Sequence, residues 1–219
     1  MSENDVQETQ VIDKRSIKIG IAMVAIILMV MCVIVPLIGS YNALVDSDLQ
    51  VNRAAHNIQT DLERRADLLP NLAATVKGSA TFEHATLVDT IAARAGDAGA
   101  IKNRLKTANT VQDMQQSETQ LTTLFGGIMT LNEAYPTLQS TQQFREFAAQ
   151  TTATENEILV DRQTYNAAVM QYQSVVRSFP TNLVASHYGF SADKYQMYVP
   201  KDQERAEAIP EITFDFSNL

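Results

Sequence analysis

Residues Ile19 to Gly39 (IGIAMVAIILMVMCVIVPLIG) form an apolar run with no charged side chain. At 1.5 Å per helical residue the run is about long enough to cross a hydrocarbon core of roughly 30 Å. Lys14, Arg15 and Lys18 precede it, and the first basic residue after it is Arg53. Basic residues beside a span stay in the cytoplasm, so this asymmetry predicts a cytoplasmic N-terminus and a body on the far side. The competing reading is a cleaved signal peptide, whose apolar core is about 7–15 residues and ends in small residues. Here the run is longer and leads into Pro36-Leu37-Ile38-Gly39-Ser40-Tyr41. The expectation is therefore a cytoplasmic leader over 1–18, polar and disordered at its start, and an uncleaved single-pass signal anchor over 19–40. That anchor would sit in a bacterial cytoplasmic (inner) membrane, with the body periplasmic or extracellular. Cys32 is the one cysteine and lies inside the run, so the body has no disulfide and must be held by packing.

The periodicity of the body is helical. Val51, Ala55, Ile58, Leu62, Ala66, Leu69, Ala73 and Val76 recur at steps of three and four, placing one apolar stripe on one helix face. Pro70 lies in this stripe, and its missing donor predicts a bend rather than a break, because the phase continues beyond it. The same helix is expected to grow out of the span and to end at Lys77-Gly78-Ser79. A second helix is read over about 81–95, with Gly96-Asp97-Ala98-Gly99 breaking or bending the chain before Ile101 and Leu105. A third covers about 111–134; Gly126-Gly127 in its middle marks either a close approach to a neighbour or a loose turn. The fourth, about 140–178, carries Phe144, Phe147, Thr151, Thr154, Ile158, Tyr165, Val169, Tyr172, Val176 and Phe179. The expected fold is all-α: an N-terminal transmembrane helix, then an antiparallel four-helix bundle over 41–180 with a long first helix. Residues 181–219, rich in Tyr and Phe and broken by Gly189, Pro200 and Pro210, are read as an extended tail packed along the bundle seam.

These segments together resemble the LemA family. The resemblance rests on Arg64-Arg65-Ala66-Asp67-Leu68-Leu69-Pro70-Asn71-Leu72 and Val76-Lys77-Gly78, then Glu133-Ala134-Tyr135-Pro136-Thr137-Leu138 and Phe144. It continues through Thr154-Glu155-Asn156, Arg162, Tyr165-Asn166, Val169 and Tyr172, and ends with Phe179-Pro180, Ala185 and Gly189-Phe190. It covers nearly all of 41–216. It implies a membrane-anchored helical bundle working at membranes, and the proximity of some members to a membrane metalloprotease bears on possible partners. Ala55-His56, Ser79 and Gly126-Gly127 depart from the family pattern and touch the groove between the first and third helices, not the fold.

Chemistry is sparse. His56, His84 and His187 are scattered, and Glu83-His84 lacks the second histidine four residues on that a zinc helix needs. No nucleophile sits in Gly-x-Ser-x-Gly, and Gly126-Gly127 lacks the lysine and spacing of a phosphate loop. The strongest polar group is Arg64, Arg65, Asp67 and Asn71 around Pro70, joined from elsewhere by Glu133, Glu155, Asn156 and Arg162. Helical spacing allows Arg64 to pair with Asp67, and Asp67 with Asn71. Two readings stand: a polar site that the bend presents to a partner, or, as preferred here, side chains that satisfy the backbone Pro70 disrupts. Tyr165, Tyr172, Phe144 and Phe179 are read as core.

The formal net charge of −8 disfavours nucleic acid as a partner and disfavours the body lying flat on anionic lipid. The sequence thus points to an envelope scaffold or adaptor that binds other membrane proteins or itself and is held to the membrane through residues 19–40. It predicts no cofactor, no metal and no catalysis of its own. The alternatives are an accessory subunit regulating a membrane protease or transporter and, third, an envelope enzyme.

Overall fold

The computed structural model describes residues 14–78, 85–134 and 141–199, with the side chains of 14–16, 78 and 131–134 outside that description. It is all-helical over these residues. The helices are α1 (Lys14–Gly78), α2 (Ala85–Leu105), α3 (Val111–Ala134), α4 (Gln142–Arg177) and α5 (Thr181–Tyr188). The leader, the Tyr135-Pro136 stop and the tail from Pro200 onward, including Pro210, Phe214 and Phe216, lie outside the described residues.

α1 is one helix of 65 residues, about 100 Å at the helical rise, and it contains both Pro36 and Pro70. Its two halves meet different surroundings. From Ile17 to Val35 the side chains face outward and are exposed. From Leu44 onward, Leu44, Val51, Ile58, Leu62, Leu69 and Val76 are fully buried. Their spacing is mostly seven residues, two helical turns, which keeps one seam turned toward the bundle. α1 packs on α2, α3, α4 and α5, and so forms the axis of the bundle.

α4 runs back along α1. Its N-cap is Thr141, whose hydroxyl accepts from the Phe144 amide, and the buried residues Phe144, Phe147, Thr151, Thr154, Ile158, Tyr165, Val169, Tyr172 and Val176 continue the α1 seam. Phe179 is a correction. The helix stops at Arg177, two residues earlier, and Phe179 is 80% exposed instead of packed in the core.

α2 corrects a second expectation. It runs unbroken through Gly96 and Gly99, because Ala98 is fully buried and Ile101 and Leu105 hold the phase set by Leu87 and Ile91. Two helical glycines cost about 2 kcal/mol against alanine, less than burying this stripe returns.

Gly126-Gly127 divides between its two readings. A Cβ on Gly127 would sit 1.7 Å from Arg94 Nη1, whereas one on Gly126 would meet nothing within 4 Å. Arg94 crosses α3 at that glycine and donates to the Leu124 carbonyl at 3.3 Å.

α5 is a helix where an extended tail was expected. It ends at Gly189 in the left-handed conformation (φ 77°), with the Phe190 amide donating to the Ala185 carbonyl at 2.9 Å. Over 190–199 the chain turns at 192–193, bends at 194–195 and then runs without regular structure to Val199, with Phe190, Tyr195 and Tyr198 packed against the bundle.

Replacing Gly96 or Gly126 with alanine should raise stability by about 0.5–1 kcal/mol each, since both are helical and open to solvent. Gly127→Ala must move Arg94 and should gain less or lose. Equal melting shifts at 126 and 127 would show that Arg94 does not depend on the missing side chain.

Candidate functional site: a polar seam sealed by the tail

Of the polar residues singled out around Pro70, Arg65 enters the interior of the bundle, and Arg64, Arg65 and Asp67 find partners on other helices. Arg65 is 2% exposed. Its Nη2 donates to Glu155 Oε1 of α4 at 2.6 Å and its Nη1 to Thr122 Oγ1 of α3 at 3.3 Å. The guanidinium carbon lies 5.0 Å from the centre of the Phe125 ring. Burial pulls the Arg65 guanidinium below its ordinary value, Glu155 opposes that shift, and Arg162 adds to it. One side chain thus joins α1, α3 and α4.

The pairings allowed within α1 are not the ones formed. Arg64 reaches Glu157 of α4 and lies 3.6 Å from Asp61, while Asp67 accepts from Lys102 of α2 at 2.6 and 2.7 Å. The local spacing was compatible with Arg64–Asp67, but each side chain points toward a different neighbouring helix. Pro70 is half-buried, Asn71 and Asn156 are on the surface, and the Glu133 side chain lies outside the described residues. Among the described residues, the charged members therefore bind side chains across the seam, not the Ala66 carbonyl left by Pro70.

Asp61 escaped the sequence reading. It is nearly buried, and its carboxyl is pushed up by burial and by Asp161, with Arg64 opposing and Glu157 adding. Its signal was only its place beside Leu62 on the buried stripe.

The second half of the seam belongs to α3, α4 and the tail. Phe125 of α3 stacks on Phe147 of α4 with ring centres 5.4 Å apart, and Arg162 of α4 forms an ion pair with Glu118 of α3. Tyr198 covers this pair. It is 1% exposed, its hydroxyl donates to Glu118 Oε2 at 2.5 Å, and Arg162 sits over its ring. Asn166 clamps the same residue, donating to its carbonyl at 2.9 Å and accepting from its amide at 2.7 Å, as a neighbouring strand would. Tyr165 donates to the Gln196 carbonyl, and Gln115 of α3 to that of Val199. Lys194 and Tyr195 both reach Asp48 of α1, at 2.6 and 2.9 Å. The strap is therefore pinned to three helices. Burial pushes the Tyr165 and Tyr198 hydroxyls up to about 12, with Tyr195 adding at Tyr165 and Arg162 opposing at Tyr198.

The exposed His56 and His187 stand apart, and His84 lies outside the described residues. Among the described residues, no group of three His, Cys, Asp or Glu is placed to hold a metal. What the seam does chemically is neutralise buried charge and lock helix register. A cleft of about 610 Å³ lies beside the strap, between Asn52, His56, Gln59, Gln112, Tyr165 and Tyr195.

The architecture defines a helical-bundle protein whose first helix extends into an uncovered apolar segment long enough to cross a membrane. The LemA family model matches residues 54–214, and the chain belongs to that family. Among similar proteins are magnetosome protein MamQ 1 and magnetosome protein MamQ 2 of Paramagnetospirillum magneticum. Each is 26% identical over 191 residues, covering 79% of this chain and 70% of the relative.

Two outcomes test the seam. Glu155→Ala strands a buried guanidinium and should cost about 1–3 kcal/mol, whereas Arg65→Met, which removes the buried charge, should be close to neutral. Paired melting curves decide it, and equal losses would contradict the asymmetry. The tyrosines predict alkaline instability. A hydroxyl whose value is raised on folding holds its proton more tightly in the folded chain, so stability falls as pH rises past the unfolded value of about 10 toward 12. Tyr198→Phe should flatten part of that fall in a pH series of denaturant melts; an unchanged slope would refute it.

Proposed function

We propose that this protein is a single-pass membrane-anchored structural and interaction protein of the bacterial envelope, an adaptor or scaffold rather than a catalyst. The observation that carries this reading is the continuity of α1. The same helix that supplies the apolar segment also supplies the seam on which every other described helix packs. A bundle joined to its anchor without a flexible linker is held at a fixed height, which suits presenting a surface to neighbours. The names of the two magnetosome relatives support a role tied to a cellular structure.

The polar seam supports the same reading. Its charges are consumed in contacts among α1, α3 and α4, so it serves the bundle's rigidity. The surfaces left for partners are on the outer faces. Leu159, Val160 and Met170 of α4 and Leu49 of α1 are exposed apolar side chains suited to a helix-on-helix contact.

Photoreactive residues placed singly at 49, 160 and 170, with 116 on α3 as the comparison face, test this in intact membranes. The expected result is one recurring foreign protein, or a second copy of this chain, captured from the α1 and α4 positions and not from α3. If that protein is a membrane protease or transporter, the adaptor is its regulatory subunit. Capture of no protein from any face would sink the interaction reading.

A further inference from the structure

The residues at the foot of the bundle form a surface that the polar seam and the adaptor reading leave unused. A cavity of about 530 Å³ opens there between α1 and α5, walled by Leu37, Ile38 and Tyr41 on one side and Leu183, His187 and Tyr188 on the other. Leu37 and Ile38 are the last apolar residues of the run that begins at Ile19. Tyr41 meets Tyr188 with ring centres 5.0 Å apart and Phe190 at 6.4 Å. α5 is therefore docked at the level where the apolar segment of α1 ends.

The outer face of this corner is apolar and bare. Phe179 is 80% exposed, Leu183 58% and Tyr188 61%. Phe179 lies just before α5 and Leu183 within it, and Val184 and Ala185 on the inner face of α5 are buried against the bundle. Charge is missing from both walls. No Asp, Glu, Lys or Arg occurs over residues 178–192, nor over 19–45 of α1, in a chain that is 19% charged. Arg177 precedes this stretch, and Asp193 and Lys194 follow it, the lysine paired with Asp48. Tyrosine with aliphatic neighbours, free of charge, is the composition that the headgroup layer of a bilayer selects.

We propose that α5 is a second membrane contact: Phe179, Leu183 and Tyr188 seat in the interfacial layer of the leaflet from which α1 emerges, and lipid fills the cavity between α5 and α1. The occupant is lipid because the cavity's α1 wall is continuous with the membrane-spanning run, so the medium that covers Leu37 and Ile38 also reaches Leu183. The inference rests on the reading of residues 19–39 as a span. Its consequence is mechanical. A single helix lets a bundle tilt and spin about its axis, whereas a second contact beside it sets which face of the bundle meets the membrane.

The chain has no tryptophan, so a single introduced indole reports its own surroundings. The full chain is reconstituted in phosphatidylethanolamine–phosphatidylglycerol vesicles containing lipid brominated either near the headgroup or near the acyl-chain end. Phe179→Trp and Leu183→Trp probe α5, and Val30→Trp probes the span. Leu159→Trp, ~27 Å back along α4 from Arg177, serves as the dry-side comparison. Melting curves confirm that each variant is folded.

The expected result is blue-shifted emission from both α5 variants, quenched more by the headgroup-proximal bromine. Val30→Trp should be quenched more by the deep bromine, and Leu159→Trp by neither. Quenching at 30 without quenching at 179 and 183 overturns the proposal and leaves the anchor standing. Blue-shifted but unquenched emission at 179 and 183 also overturns it, because the face is then covered by protein, such as a second copy. No quenching at position 30 overturns the anchor and this inference with it.

Discussion

Peptide groups between Ile19 and Gly39 have no water to bond when that segment lies in hydrocarbon, so they must bond to one another along a helix. Nothing in the next forty residues stops the helix so begun, and α1 runs on to Gly78. Neither Pro36 nor Pro70 interrupts it. Every later feature refers to this rod. α2 and α4 lie along it, α3 closes the far side, and α5 is docked beside the point where the apolar segment ends. The bundle's core is thus the continuation of the apolar segment.

Around that rod, the interior is not purely apolar. Arg65 and the Glu118–Arg162 pair are buried or nearly so. Burying charge is costly even when it is paired, so these groups are better understood as setting helix register than as adding net stability. Arg65 can meet Glu155 and Thr122 together only at one mutual rotation of α1, α3 and α4. The tail strap serves the same end. α3 and α4 are joined chiefly by long side chains, and Tyr198, held by Asn166 and Glu118, fills the space between them.

Much of the fold was legible in the residues, and the failures are instructive. The α1 and α4 stripes were readable because burial follows a 3.6-residue period, and that period survives any arrangement of neighbours. Gly96 and Gly99 misled because propensity is local and weak, whereas Ala98, Ile101 and Leu105 are buried by helices elsewhere in the chain. Phe179 misled because it keeps the phase of α4 after the helix itself has ended. The helical character of α5 was hidden because its eight residues were read together with the Tyr-, Phe- and Pro-rich stretch that follows them, which has an extended look without a partner surface to bind.

The membrane-length apolar run, the all-helical class and most of the faces that go inward were determined by the sequence alone. All of these depend on composition and period, which are properties of a segment. Which charge meets which was decided only by the tertiary structure. Arg64 lay within reach of Asp67 by spacing, yet it turns to Glu157 and leaves Asp67 to Lys102. Spacing within one helix limits the possible pairs, but the choice depends on which helix lies alongside and at what height. The placement of α5 beside Tyr41 is of the same kind, since Tyr188 comes 147 positions after Tyr41 and only packing brings their ring centres to 5.0 Å.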